Sequence, residues 1–474
     1  MLDTNHILFV LVLLAGLYMA WNIGANDVAN AIGTSVGSGA LRLSRAVVIA
    51  GVFEFTGAFF FGSHVTDMIQ EGIVNPEIFI HSPKVFVLGM LSALIASGVW
   101  LQIASYYGWP VSTTHSIVGA VIGFGAIVGG TSSIYWDNVI FITSGWIFSP
   151  LIGGFLSYFI FNLFRKHIFY APCPVTAAKK ITPKIVFVFV TLLGIILTFN
   201  GLKNLEHKLS PTSSLVGSIC LGAFASVLSV FLLKRIKTPP GEYKSAPEYS
   251  PEAVLALEKA HKQLKLVRKE TKGEAAYRIT QVLDSVERLS KEYGKKELIG
   301  SVDYASVEKI FAKLQIMSAC TMAFAHGAND VANAIGPLAA AITVIQSGAV
   351  ALQSTPIPTW TLALGGFGIV LGLATWGWRV VETIGKKITE LTPSRGFSAE
   401  FGAALTIVFA SRMGLPVSTT HTLVGSVLGV GLARGLEALD LSTTRDIAVS
   451  WLITVPAGAI ISIVCFYALS FFFI

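Results

Sequence analysis

Two short polar stretches interrupt an otherwise apolar chain, and each is written twice. Gly24-Ala25-Asn26-Asp27-Val28-Ala29-Asn30-Ala31-Ile32-Gly33 recurs unchanged at Gly327–Gly336, and Pro110-Val111-Ser112-Thr113-Thr114-His115 recurs unchanged at Pro416–His421. On a helix, Asn26 and Asn30 fall four apart and share a face with Asp27 beside them, and Asn329, Asp330 and Asn333 repeat that stripe. A carboxylate flanked by two amides offers oxygens to a hard cation. The bland alternative for the amides is a hydrogen-bond cluster that ties helices together. The second stretch sets a proline ahead of a helix-like run, with Ser112, Thr113 and Thr114 (Ser418, Thr419 and Thr420 in the second copy) in its first turn. Proline is tolerated at a helix start and disrupts a helix interior. The first-turn N–H groups lack helical partners and sit at the positive dipole end, so with the hydroxyls they form a cradle for an oxyanion. The bland alternative here is back-bonding of each hydroxyl to its own turn. His115 and His421 close the motif, as packing residues or as proton relays.

These groups need elements to hold them, and composition says which kind. The chain has 474 residues, 53% of them hydrophobic and 13% charged. Soluble domains carry about 25% charged residues, so a water-facing surface of ordinary polarity is excluded, and disorder, collagen and coiled coil go with it. What remains is an all-α polytopic membrane protein, and the 45 glycines suit closely packed membrane helices. Apolar runs long enough to span lipid fall near 7–40 (broken), 46–63, 85–107, 112–130, 139–164, 184–201, 213–233, 311–346 (broken), 361–383, 399–413, 418–434 and 447–473. That predicts about 12 transmembrane segments, with half-helices among the short ones. An ionisable residue at such depth is expensive and marks an ion or solute path. Two further acids, Glu54 within its span and Glu400 at the start of another, therefore read as coupling-ion or gating residues. For Glu400 an interfacial cap beside Arg395 is the competing reading.

The copies lie 303 residues apart for the first motif and 306 for the second, and Gly119, Gly123 and Gly125 are answered by Gly425, Gly429 and Gly431. Seven predicted spans precede the second copy, so it enters the membrane upside down. This is the inverted-topology repeat of many secondary transporters, which bind their solute near the midplane between the copies. The chain then divides into a first transmembrane repeat at 1–165, connecting helices at 166–233, a hydrophilic helical loop at 234–312 and the inverted second repeat at 313–474. A dianion in the cradle beside two carboxylates is repelled unless cations bind with it. Asp, Asn and Thr oxygens suit Na⁺, and buried Asp27 or Asp330 suits H⁺. The expectation is anion–cation symport with no cofactor and no metal beyond Na⁺.

Residues 234–313 hold 17 of the 34 Lys and Arg and 12 of the 27 Asp and Glu. Mixed signs speak for a solvated helical loop and against a nucleic-acid footprint. With that loop in the cytoplasm, 13 of the remaining basic residues fall inside and four (Lys84, Lys203, Lys208 and Arg412) outside, in line with the positive-inside bias. Both termini then lie outside, and the absence of a cleavable signal points to a cell (inner) membrane. Cys173, Cys220, Cys320 and Cys465 have no paired spacing and imply neither disulfides nor a metal site.

The doubled Gly-Ala-Asn-Asp-Val-Ala-Asn-Ala and Pro-Val-Ser-Thr-Thr-His, separated by a hydrophilic loop, resemble the PiT family of inorganic phosphate transporters over about 24–130 and 327–434. The resemblance implies phosphate taken up with Na⁺ or H⁺ on a fold of two inverted repeats. It implies phosphate and coupling-ion roles for Asn26, Asp27, Asn30, Ser112, Thr113 and Thr114, and for Asn329, Asp330, Asn333, Ser418, Thr419 and Thr420. Glu54 and Glu400 stand where the family has further membrane acids, and the loop is expected on the cytoplasmic side. The expected partners are inorganic phosphate and membrane lipid, with room for a homodimer. Sulfate is the competing oxyanion, but only phosphate can donate a proton to Asp27 or Asp330. A membrane-embedded enzyme needs a nonequivalent acid, base and nucleophile, against which duplicated, identical sites argue.

Overall fold

The computed structural model describes residues 4–198, 210–234, 251–350, 356–382, 388–435 and 438–474. The expected linker at 239–250 and the basic residues Lys203, Lys208, Lys386 and Lys387 lie outside the described residues. Among those described, the regular structure is helical, apart from one isolated bridge between Val74 and Ile134. Among the described residues, eight helices are long and apolar enough to cross a membrane, and the shorter Thr113–Val128 and Thr359–Thr375 are also apolar. The chain divides into two compact units, one of Met1–Phe161, Leu192–Ile219 and Ala312–Ile474, the other of Asn162–Thr191 and Cys220–Phe311. Both copies of each motif fall in the first.

The first unit is built from α1 (Thr4–Gly37), α2 (Leu43–Phe61), α3 (Ser63–Glu71), α4 (Pro83–Tyr106), α5 (Thr113–Val128) and the start of α6 (Trp136–Phe164). It takes in the ends of α7 (Pro174–Thr198) and α8 (Pro211–Lys234). In the second unit, α9 (Pro251–Glu270) ends at a break before Gly273, whose φ of +67° favours glycine, and α10 (Gly273–Ser347) follows. There Phe311 packs against Phe164 and Phe169 with ring centroids 5.1 and 6.0 Å away. The later part of α10 returns to the first unit, followed by α11 (Thr359–Thr375), α12 (Trp378–Glu382), α13 (Pro393–Arg412), α14 (Thr419–Arg434) and α15 (Leu441–Phe473).

Glycines set how these helices cross, and the crossings come in matched pairs. On α1, Gly24 lies against the Ile369 carbonyl of α11; on α10, Gly327 lies against the Glu54 carbonyl of α2. Gly372 of α11 meets Trp21 of α1, and Gly57 of α2 meets Phe324 of α10. Gly119 and Gly123 of α5 abut Val455 and Ala459 of α15, while Gly425 and Gly429 of α14 abut Pro150 and Gly154 of α6. Exchanging the copies maps each crossing onto its counterpart. The glycines downstream of the second motif are therefore backbone-contact residues, the use that membrane helices make of small side chains. Away from the crossings, Phe155, Leu452, Val464 and Phe471 stand exposed, an apolar exterior that fits lipid and would be an aggregation hazard in water.

One expectation is corrected. Asn26–Asn30 and Asn329–Asn333 lie within unbroken helices, although the spans at 7–40 and 311–346 were expected to break. Helical geometry runs through the motif in each repeat, with the polar side chains partnered on other helices, even though Pro337 just after the second copy cannot donate to the Asn333 carbonyl. Breaks do occur at the second motif, where α4 and α13 end and α5 and α14 begin anew.

A methyl at Gly24, Gly327 or Gly429 would overlap backbone atoms of the partner helix. Overpacking of this kind costs about 1–3 kcal/mol, so each Gly→Ala variant should unfold at lower temperature in a detergent melt. Gly217→Ala on α8, with nothing within 4 Å of the added carbon, should hold or slightly raise the midpoint.

Candidate functional site

The second motif starts a helix in both copies for the same local reason. Gly108 and Gly414 take φ of +69° and +70°, a left-handed turn that glycine adopts without strain. The chain then extends through Pro110 or Pro416 to Ser112 and Ser418, whose hydroxyls cap the new helices by accepting His115 N at 3.2 Å and His421 N at 3.1 Å. The two serines thus serve as caps. The threonines turn outward to the other elements and are nearly fully buried.

What they meet is the first motif, in the other copy for Thr113, Thr114 and Thr420 and in its own copy for Thr419. Asn30 Nδ2 donates to Thr420 Oγ1 at 2.8 Å, and Asn333 Nδ2 donates to Thr114 Oγ1 at 3.1 Å. Thr420 Oγ1 lies 3.2 Å from the Val111 carbonyl, and Thr114 Oγ1 lies 3.2 Å from the Val417 carbonyl. Within each copy, Asn26 Nδ2 donates to Ser105 Oγ at 3.0 Å, and Asn329 contacts Ser411 Oγ at 2.8 Å. Asn26 also accepts from Val111 N at 3.3 Å and donates to the Trp109 carbonyl at 3.1 Å.

The carboxylates sit at the centre. Asp27 Oδ1 receives Asn30 Nδ2 and Thr420 Oγ1, both at 3.0 Å. Asp330 Oδ2 receives Thr419 Oγ1 at 2.7 Å and lies 3.4 Å from Thr113 Oγ1. With its amide nitrogen turned toward them, Asn329 donates to Asp330 Oδ1 at 3.1 Å and to the Val417 carbonyl at 3.0 Å. Between the acids stands His326, a residue that motif reading passes over. Its Nε2 is 3.1 Å from Asp330 Oδ2 and 3.8 Å from Asp27 Oδ2, and its Nδ1 is 2.9 Å from Glu54 Oε1. Asp27, His326 and Asp330 present ligand atoms all within 4.8 Å of one another, the spacing of a cation site. Asp27 Oδ2, Asn30 Oδ1 and Asn333 Oδ1 are buried acceptors without a hydrogen bond. The arrangement therefore offers acceptor oxygens to a cation and helix N-termini with threonine hydroxyls to an anion.

Two groups of expected residues lie apart from this centre. Glu400 gathers Thr34 Oγ1 at 2.5 Å, Ser35 Oγ at 2.5 Å, Gln315 Nε2 at 3.2 Å and the Ser318 hydroxyl. This is a buried cluster one helical turn beyond Asn30, so the interfacial-cap reading fails. His115 and His421 stack edge to face with centroids 4.3 Å apart, capped by Trp146 at 3.8 Å and Trp451 at 3.6 Å. Sequence reading missed His326, Ser105, Ser411 and the partners of Glu400. Ser105 and Ser411 carry the same 306-residue offset as the second motif, a usable signal. His326 carries the opposite signal, since its counterpart 303 residues earlier is Ile23.

The phosphate transporter family profile matches residues 23–462. The chain belongs to that family. It is 44% identical over 455 residues to the chloroplastic inorganic phosphate transporter 2-1 of Arabidopsis thaliana, covering 95% of this chain and 70% of that one. It is 46% identical over 462 residues to a protein of Chlamydia pneumoniae named as a phosphate permease, with 98% of each covered. A solved structure described as the sodium-dependent phosphate transporter superposes with a TM-score of 0.79 at 34% identity, over 98% of this chain and 99% of that one. The family is one of membrane transporters of phosphate, not of enzymes.

Thr114→Val and Thr420→Val each remove one of the matched bridges and leave a buried Asn amide short of an acceptor. Each should lower stability by about 1–3 kcal/mol, with Thr420→Val the larger loss because it also takes a donor from Asp27 Oδ1, as read from thermal melts of the purified protein.

Proposed function

We propose that the protein imports inorganic phosphate by symport with a cation, Na⁺ in the first instance and H⁺ as the other candidate. The observation that carries this reading is the matched, buried set of acceptors beside two helix N-termini. Acceptor oxygens with no donor are costly when buried. Asp27 Oδ2, Asn30 Oδ1 and Asn333 Oδ1 are satisfied together by hard cations, which prefer carboxylate and amide oxygen. The phosphate oxygens then take the first-turn N–H groups of α5 and α14 with the hydroxyls of Thr113, Thr114, Thr419 and Thr420. Cations are required by electrostatics as well. Two unit charges about 4 Å apart at an effective dielectric near 20 repel by about 4 kcal/mol, and a phosphate dianion meets two such carboxylates.

Alternating access follows if the copies face opposite ways in the bilayer. The hydrogen bonds that join the copies, Asn30 to Thr420 and Asn333 to Thr114, then lie where one half moves against the other, with the solute between them. Glu400, whose oxygens already collect hydroxyl and amide groups from α1 and α10, is assigned a coupling-ion or gating role, as are Glu54 and the His115–His421 stack. The charge bias puts the loop at 234–312 in the cytoplasm and both termini outside, in a cell (inner) membrane. The structural relative is described as a sodium-dependent phosphate transporter, which supports Na⁺.

In proteoliposomes, labelled phosphate should accumulate when a Na⁺ gradient is imposed and not when it is collapsed; a pH gradient in its place tests H⁺. Asp27→Asn and Asp330→Asn should each cut gradient-driven uptake at least tenfold. Uptake undiminished in both variants would remove the carboxylates from coupling.

A further inference from the structure

Matched contacts make the departures from symmetry informative. Gly57 and Gly372 are counterparts on α2 and α11, 315 residues apart, because they meet Phe324 and Trp21, themselves counterparts. The same offset pairs Glu54 with Ile369, just as His326 pairs with Ile23. Where the α2–α10 crossing places Glu54 against His326 at 2.9 Å, the matching α11–α1 crossing has two fully buried isoleucines, Ile369 and Ile23. The two motif carboxylates, identical in sequence context, thereby acquire different surroundings. Asp330 has contacts on both oxygens, from Asn329 on Oδ1 and from Thr419, Thr113 and His326 on Oδ2. Asp27 has its hydrogen bonds on Oδ1, and its Oδ2 carries none, the nearest imidazole nitrogen standing 3.8 Å away.

We propose that the Glu54–His326 pair makes the two carboxylates unequal, so that Asp330 is held as a fixed wall of the cleft while Asp27 takes and releases the cotransported cation. His326 is a positioning residue: Glu54 holds its ring through Nδ1 at 2.9 Å, which sets Nε2 closer to Asp330 Oδ2, at 3.1 Å, than to Asp27 Oδ2, at 3.8 Å. A donor that already faces Asp330 Oδ2 competes with a cation for that oxygen. Asp27 Oδ2, 3.8 Å from the same nitrogen, stays available. The inference rests on the symport reading and adds to it an order among residues that the duplicated motif leaves equivalent.

The test is calorimetric titration of the purified full-length protein with inorganic phosphate at a series of Na⁺ concentrations and constant ionic strength. The slope of log affinity against log Na⁺ counts the cations taken up with phosphate, by linkage. Asp27→Asn should lower that slope by about one, the value for loss of a single linked cation. Asp330→Asn should weaken phosphate binding while leaving the slope unchanged. Glu54→Ile with His326→Ile installs the pair that the matching crossing packs, and Glu54→Gln with His326→Gln keeps the positions polar should the isoleucines fail to fold. In either double background Asp330 is released, and Asp330→Asn should now lower the slope as Asp27→Asn does. Equal slopes for Asp27→Asn and Asp330→Asn in the unaltered background would overturn the inequality and leave symport standing. So would a double background that leaves the Asp330→Asn slope unchanged. Phosphate binding that ignores both Na⁺ and pH would instead overturn symport, and the inference with it.

Discussion

The structure depends on one reciprocal arrangement: the carboxamide stripe of each repeat hydrogen-bonds to the threonines that begin a helix in the other. Asn30 reaches Thr420 and Asn333 reaches Thr114. Each repeat satisfies some of its own polar groups, as Asn26 does with Ser105 and Asn329 with Ser411, but Asn30 and Asn333 take their hydroxyl partners from across the centre. In lipid, an unsatisfied amide or carboxylate has no water to fall back on, so the two halves must meet at this place and in this register. The same meeting brings two carboxylates and two helix N-termini within a few ångströms, which is where an anion and its cations can share a site.

Such proximity needs close helix crossings, and the glycines provide them. Gly24 on Ile369, Gly327 on Glu54, Gly119 on Val455 and Gly425 on Pro150 are backbone contacts that a side chain would hold apart. The glycines and the polar stripe therefore act together. The first set the distance between helices, and the second supplies the groups that the distance makes useful. Symmetry is kept wherever packing decides the geometry and is dropped where charge enters. Glu400 with Thr34, Ser35, Gln315 and Ser318 forms a polar cluster. The residues at the matching offsets are Leu94, Pro337, Leu338, Val12 and Ala15, and Leu94, Leu338, Val12 and Ala15 belong to one apolar core. The two halves share their packing contacts, while the Glu400 cluster and the Glu54–His326 pair, each built from both halves, have no polar counterpart.

The sequence by itself determined a good deal. Too few charges for a soluble surface made this a helical membrane protein, and exact duplication of two polar motifs marked the residues that meet at the centre. Asn26, Asp27, Asn30, Thr113, Thr114 and their second-copy counterparts were legible because repetition at a fixed offset is a strong signal. The caps of Ser112 and Ser418 were open only as an alternative, since a hydroxyl in a first turn serves either its own helix or a ligand. Tertiary structure alone decided which copy each threonine serves, that the first-motif helices run unbroken, and that His326 joins Asp330 to Glu54. These are contacts between residues up to 393 positions apart, and local pattern carries no information about them. His326 escaped notice for a further reason. Repeat reading finds what is shared between the halves, and this residue acts through being present in only one.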